Sequence, residues 1–313
     1  MPVKYDEYVK RPEEEIEFTP ERIKELARCK DDVEHFLKNY IYIVNEDVGL
    51  TLFEPRDFQK DLLNKFQKYR FNIGLIARQS GKSVCVGAYA LHFSIFNSHK
   101  TVGIASNKEK SAKNLLAKIK LMYENLPVWL KPGVTGWAET SISFENGSKI
   151  IVSATSKDAF RGEALSLLIL DELAFVDPQW KAEEFWTSNY PTISSSKKAK
   201  IIIISTPNGL YNLFHRIYNK AEKGQNEFVP TFYDWTTIPG RDENWKQLQI
   251  ENLGSEVLFN QEFGCIFIGS SYTLLDPETL RYLAEKKEYP NPVLTKFERK
   301  LKIYEKPKNG HIY

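Results

Sequence analysis

The sequence predicts an α/β fold: a mainly parallel central sheet flanked by helices, with a smaller helical lid subdomain. Three observations carry this. Several short segments are apolar throughout, among them "FNIGLIA" (71–77), "LSLLILDE" (165–172) and "AKIIIIST" (199–206). Strands without a polar face belong in a sheet covered by helices on both sides. These segments alternate with helical ones, in the order typical of α/β chains. The first of them also runs into a helix through "ARQSGKS" (77–83), a stretch close to a phosphate-binding loop.

Along the chain, residues 1–20 are polar and expected to be extended, and residues 20–66 read as two or three helices. "TPERIKELARC" opens with Thr19 as cap and Pro20 in the first turn. "PRDFQKDLLNKFQKY" places Phe58, Leu62, Leu63 and Phe66 on one face. A strand at 71–77, a helix at 82–96 and a strand at 101–106 follow. Ser106 and Glu109 have capping-box spacing for the next helix, which is expected to run to about Asn125 and stop before Pro127. "SISFENGSKIIVSAT" reads as a hairpin turning at Asn146-Gly147. After the strands at 165–172 and 199–206, residues 208–275 read as helices with strands at "EFVPTFYDW" and "CIFIG". Residues 285–308 carry eight Lys/Arg against four Asp/Glu and three prolines, as a linker or subdomain edge would.

The bulk numbers exclude several classes. Of 313 residues, 42% are hydrophobic and 27% charged, as in soluble globular chains. A formal charge of +2 gives no global nucleic-acid signature, so any DNA contact must be a local patch. The lysine-rich stretches 108–120 and 296–308 are candidates for it. Cys29, Cys85 and Cys265 lie far apart, as reduced, buried thiols do. The charged N-terminus is unlike a secretory signal, and no apolar run is long enough to span a bilayer. The expected location is cytosolic.

The chemistry gathers at three strand ends. Gly81-Lys82-Ser83 follows a strand and opens a helix, although the first glycine of the usual pattern is replaced by Ile76. Amide groups at a helix start, with the helix dipole, favour phosphate oxygens. Lys82 would neutralise the β- and γ-phosphates, and the Ser83 hydroxyl would hold Mg²⁺. "LLILDE" ends a buried strand in Asp171-Glu172, where two acids are costly unless paired or metal-bound. Asp171 would serve the metal, and Glu172 would orient and deprotonate an attacking water. The third strand ends in "ISTPNG" (204–209), with small hydroxyl residues at the edge where ligands bind in open α/β sheets. Arg78 in the loop, able to reach phosphate or Glu172, and Arg161 in "AFRGEAL" are both arginine-finger candidates.

In order and kind these motifs resemble the large terminase subunit of tailed bacteriophages, the ATP-driven motor that packages DNA, and most nearly its T4-like branch. "PRDFQKDLL" is similar to the adenine-contacting segment and "ARQSGKS" to the family's deviant phosphate loop, which tolerates loss of the first glycine. "FRGEALSLLILDELAFV" resembles the stretch with the arginine and acidic pair, "ISTPNG" the coupling motif, and "TFYDWTTIPGRDENW" and "EFGCIFIGSS" the lid segments. The resemblance spans about 55–275 and implies a P-loop NTPase fold of the ASCE, RecA-like type.

It further implies an ATP site in which Gln59, with Arg56 and Phe58 nearby, lies at the adenine. Arg78, Gln79, Ser80, Gly81, Lys82 and Ser83 form the phosphate loop. Ser83 and Asp171 serve Mg²⁺, and Glu172 is the base, with Arg78 or Arg161 acting on the transition state. Ser205 and Thr206 couple hydrolysis to movement. The implied ATPase domain covers 1–275, with a core at 56–207 and a lid from 1–55 and 208–275. Residues 276–313 would lead toward a nuclease domain that this chain lacks, so these residues are not expected to cleave DNA.

The implied partners are double-stranded DNA, the prohead portal protein, the small terminase subunit and further copies in a ring, a pentamer by family, in the host cytoplasm. Two other classes compete at this stage. A helicase-like translocase would need a second motor core. A docking module that binds nucleotide without turnover would not need Lys82 and Glu172 together.

Overall fold

The computed structural model describes residues 3, 5 and 7–268, together with the backbone of 294–296 and 301–303. Strands β3 (Phe71–Ile76), β4 (Thr101–Ser106), β7 (Lys149–Ala154), β8 (Leu165–Asp171), β9 (Lys200–Ser205) and β10 (Val229–Tyr233) form the parallel part of one sheet. β5 (Val134–Ala138) and β6 (Ser141–Phe144) extend it antiparallel, giving the order β10-β3-β9-β8-β4-β7-β6-β5.

The alternation of side chains across a strand builds two cores from one apolar run. In β9, Ile202 and Ile204 join one buried cluster while Ile201 and Ile203 join the other. In β8, Leu167 and Ile169 are divided in the same way from Leu168 and Leu170. The first cluster packs under α2 (Val33–Tyr40), α3 (Asp57–Lys68), α4 (Lys82–Phe96) and α5 (Glu109–Glu124). The second packs under α6 (Gln179–Ser194) and α7 (Leu213–Glu222). This is why the strands lack polar faces.

Local signals explain most element boundaries. Thr19 caps α1 (Pro20–Asp31) by accepting the Arg22 amide, with Pro20 as its first residue. The four apolar residues expected to share a face of α3 are all buried. The β6–β7 hairpin turns through Gly147 at φ 77°. The three cysteines are buried free thiols. Among the described residues no helix is long and apolar enough to cross a membrane.

Three expectations are corrected. Residues 20–66 hold helices and also an antiparallel hairpin, β1 (Tyr42–Asn45) and β2 (Gly49–Leu52). Its turn, Asn45 to Gly49, uses the Asn45 carboxamide to accept the Asp47 and Val48 amides. Ser106 does not cap α5. It ends β4 fully buried, Lys108 takes the cap position, and Glu109 starts the helix. "CIFIG" forms no strand over its described residues, because Cys265 takes a left-handed conformation (φ 56°) that interrupts the extended backbone. "EFVPTFYDW" does supply a strand, β10, which pairs with β3.

The chain after β10 folds back on itself. α8 (Glu243–Leu253) and α9 (Glu256–Glu262) follow, and the Trp235 amide donates to the Phe263 carbonyl at 2.9 Å. Trp235, Trp245, Phe259 and Phe263 form an aromatic cluster inside that turn. In the second unit, 269–313, the described residues form an antiparallel pair, β11 (Leu294–Lys296) with β12 (Leu301–Ile303). The remainder of the expected linker and of the lysine-rich stretch 296–308 lies outside the described residues.

His92 on α4 gives the core an acid-sensitive point. It is buried against the Phe36 and Phe96 rings and donates to the Cys29 carbonyl at 2.9 Å. Burial pushes its pKa from 6.5 down to about 4. The folded state therefore favours neutral imidazole. Its contribution is complete above pH 6.5 and is lost as pH falls toward 4. At about 1.4 kcal/mol per tenfold, that loss is roughly 3–4 kcal/mol. Denaturant titrations at the two ends of this window should show His92→Gln losing less stability on acidification than the parent. Equal losses would remove His92 as the cause.

Candidate active site

The C-terminal ends of β3, β8 and β9 meet at one place, and α4 starts there. The loop 77–81 joins β3 to α4, with Gln79 at φ 55° and Gly81 at φ 82°. Two left-handed residues in so short a turn bring the chain back toward the strand end and direct the first amides of α4 outward. A side chain at Gly81 would also collide with the Gln59 amide nitrogen, 2.9 Å from where a Cβ would lie. Gln59 is itself buried. Its Oε1 accepts the Arg56 amide at 2.9 Å, and its Nε2 donates to the Ser80 carbonyl at 3.3 Å. It thus braces the loop from beneath.

Lys82 is almost fully buried, and its ammonium touches all three strand ends. It donates to the Ile76 carbonyl at 3.1 Å, to Thr206 Oγ1 at 3.1 Å, and lies 2.9 Å from Glu172 Oε1. The position of the absent first glycine therefore contributes a main-chain carbonyl, which isoleucine supplies as well as glycine does. Glu172 sits at φ 57°, with its amide donating to the Ile204 carbonyl. This left-handed turn aims its carboxylate across to β9. There it accepts from Ser205 Oγ, the Thr206 amide and Thr206 Oγ1 at 3.1–3.2 Å. Non-glycine residues in this region of backbone space concentrate at functional sites.

Asp171, one residue earlier, points the other way. Its carboxylate accepts from Ser83 Oγ at 3.2 Å and is buried. Burial and the adjacent Glu172 charge push its pKa from 3.8 up to about 6, against the opposing pull of Lys82 and Ser83.

A cleft of about 740 Å³ opens over this floor, within the size range of small-molecule sites. Arg56, Gln59, residues 79–84, Lys118, Glu172 and Arg241 line it, together with residues of the β1–β2 hairpin. Lys82, Ser83, Asp171, Glu172, Ser205 and Thr206 are thus brought into contact with one another. Phe58 turns away from the cleft into the core, its ring 5.3 Å from that of Tyr233. The Arg78 side chain leaves the loop outward and pairs with Glu262 at 2.9 Å. Arg161 lies in a separate exposed turn, where its ion-pair partner among the described residues is its neighbour Asp158 at 3.2 Å.

Two parts of the cleft were missed from the sequence. One is the hairpin, whose signal was the Asn45–Gly49 turn between β-branched residues. The other is Arg241, which follows a Pro-Gly pair and reaches the carbonyls of Arg78 and Gln79.

The sheet order, the strand–loop–helix turn and the acidic strand end together are those of a P-loop NTPase fold. Residues 73–281 match the family model described as "Terminase large subunit, T4likevirus-type, N-terminal". The chain belongs to that family. Among solved structures it is similar to the large terminase ATPase domain of Thermus phage P74-26, at 20% identity and TM-score 0.56, covering 69% of this chain and 95% of that one. It is similar to the HK97 bacteriophage large terminase at 17% identity and TM-score 0.61, covering 75% and 54%. It is also similar to the large terminase of thermophilic bacteriophage D6E in complex with ADP, at 15% identity and TM-score 0.52, covering 68% and 53%. The chain spans about half the length of the HK97 and D6E proteins.

Proposed function

We propose that this chain is an ATP-hydrolysing motor domain that drives double-stranded DNA into a prohead. The observation that carries the reading is the convergence of Lys82, Glu172 and Thr206 at the floor of the cleft. The D6E structures with ADP and with ATP-γ-S support a nucleotide as the ligand.

In this reading the amides of 79–83 and the Lys82 ammonium take the phosphates, with Arg56 and Gln59 on the base side. A phosphate oxygen competes with Glu172 for Lys82, and the released carboxylate accepts a proton from the attacking water. Ser83 and Asp171 present oxygen donors of the kind Mg²⁺ takes, and a cation would offset the cost of the buried Asp171 carboxylate. Mg²⁺ held there would supply positive charge against the β- and γ-phosphates.

Ser205 and Thr206 hold Glu172 and end β9, which suits them to pass the change at the carboxylate into the sheet. Arg78, on the loop, and Arg161, exposed for a neighbouring copy, are the two arginines to test at the transition state. The lid would come from 1–55 and 208–275 around the 56–207 core, with 276–313 as linker. The portal protein, the small terminase subunit and a ring of copies, a pentamer by family, complete the assembly in the host cytoplasm.

The test is phosphate release from ATP by the purified chain, with and without Mg²⁺, over a range of protein concentrations. Mg²⁺-dependent turnover that Lys82→Ala abolishes is the expected result. A specific rate that rises with concentration would point to Arg161 acting between copies. ATP binding without turnover, even on portal-bearing proheads, would reject the motor reading.

A further inference from the structure

The residues that line the cleft differ in charge from element to element. The phosphate loop, the helices beside it and the chain after β10 contribute Arg56, Lys82, Lys118 and Arg241, while the hairpin and the residues just after it contribute Glu46, Asp47 and Glu54 with apolar residues such as Ile43 and Phe53. A nucleotide entering this cleft therefore has its phosphates drawn to the loop, where Lys82 and Arg241 stand. Three of the four cations are carried by the sheet core or by the helices beside it. Arg241 alone comes from the chain that returns after β10.

Arg241 is held in an unusual way for a cation. Its guanidinium packs over the Trp245 ring at 4.6 Å and the Phe263 ring at 5.4 Å. Its polar partners are main-chain carbonyls: Arg78 O at 3.4 Å from both terminal nitrogens, and Gln79 O at 3.2 Å. Among the described residues no carboxylate pairs with it. Burial and the nearby Arg56 charge pull its pKa down to about 10, so the surroundings disfavour the charge that it carries. A cation fixed by aromatic rings, set beside another arginine and facing a cleft is arranged to receive an anion.

We propose that Arg241 is a phosphate-contacting residue through which the 235–263 turn engages a nucleotide bound in the cleft. This rests on the nucleotide reading above and adds a contact from outside the loop and sheet. When the phosphate chain is present, the guanidinium turns from the loop carbonyls, which it holds only at long distance, to phosphate oxygens. The turn that bears it is then tied to the occupancy of the site.

Two substitutions separate charge from bracing. Arg241→Gln keeps amide donors for the Arg78 and Gln79 carbonyls and removes the charge. Arg241→Lys keeps the charge. The readout is displacement of a fluorescent ATP analogue by ATP, ADP and adenosine. Arg241→Gln is expected to weaken ATP and ADP by about tenfold or more and to leave adenosine within about twofold, while Arg241→Lys recovers most of the loss. ATP affinity of Arg241→Gln within about twofold of the parent would overturn the proposal. Equal losses for Gln and Lys, or an equal loss for adenosine, would overturn it as well, since bracing or base contact would then explain the effect. Circular dichroism checks each variant, and Arg241→Met carries the same thresholds if the Gln variant does not fold. Failure of the unsubstituted chain to bind the analogue is a different result: it rejects the nucleotide reading itself.

Discussion

Replacing Glu172 with glutamine should lower ATP turnover by about 10²–10⁴-fold, the usual contribution of a positioned general base, while leaving ATP bound. Glutamine retains a carbonyl oxygen to accept from the Thr206 amide and hydroxyl, so the end of β9 should keep its geometry. What it loses is basicity and the charge opposite Lys82, 2.9 Å away. Without that competitor the ammonium is freer for phosphate, so ATP affinity should be unchanged or tighter. Single-turnover phosphate release measured beside equilibrium binding separates the two effects. Turnover within a few-fold of the parent would mean that another group takes the proton.

Asp171→Asn should abolish Mg²⁺-dependent turnover and yet stabilise the fold near neutral pH. Burial and Glu172 raise the Asp171 pKa from 3.8 to about 6, so the folded state favours the protonated acid. That stabilisation is complete below pH 3.8 and is lost as pH rises through about 6. Above that value the parent keeps a buried carboxylate at a cost of roughly 2–3 kcal/mol, which the neutral amide removes. In metal-free buffer the variant should unfold at higher denaturant concentration at pH 7.5, and the gap should close as pH falls toward 4. A variant less stable than the parent at pH 7.5 would contradict this account of the site.

Much of this was legible because the signals are local. The parallel strands are apolar on both faces, which is a property of their composition. Gly81-Lys82-Ser83 and Asp171-Glu172 declare themselves at the ends of such strands. Other features depend on tertiary placement. The β1–β2 hairpin is short and half exposed, so it lacks the apolar run that marked the core strands. Ser106 has the right spacing for a cap, but pairing of β4 with both β7 and β8 holds it in the sheet. Phe58 adjoins the cleft in sequence and faces the core in space. The role of Arg241 depends on carbonyls more than 160 residues away, which no window of sequence contains. At Ile76 the contact is made by a main-chain oxygen, so the identity of the side chain carries no information about it.

The paired backbone bonds at the start of the loop constrain how the returning chain can move. The Ala77 amide donates to Tyr233 O and the Arg78 amide to Glu262 O, at 2.8 and 2.9 Å. Two adjacent residues thus fasten both ends of the excursion that contains α8 and α9. A body pinned at two neighbouring points cannot slide along the sheet or stretch away from it while those bonds last. A displacement of α8 and α9 that broke these bonds would therefore release the first residues of the phosphate loop.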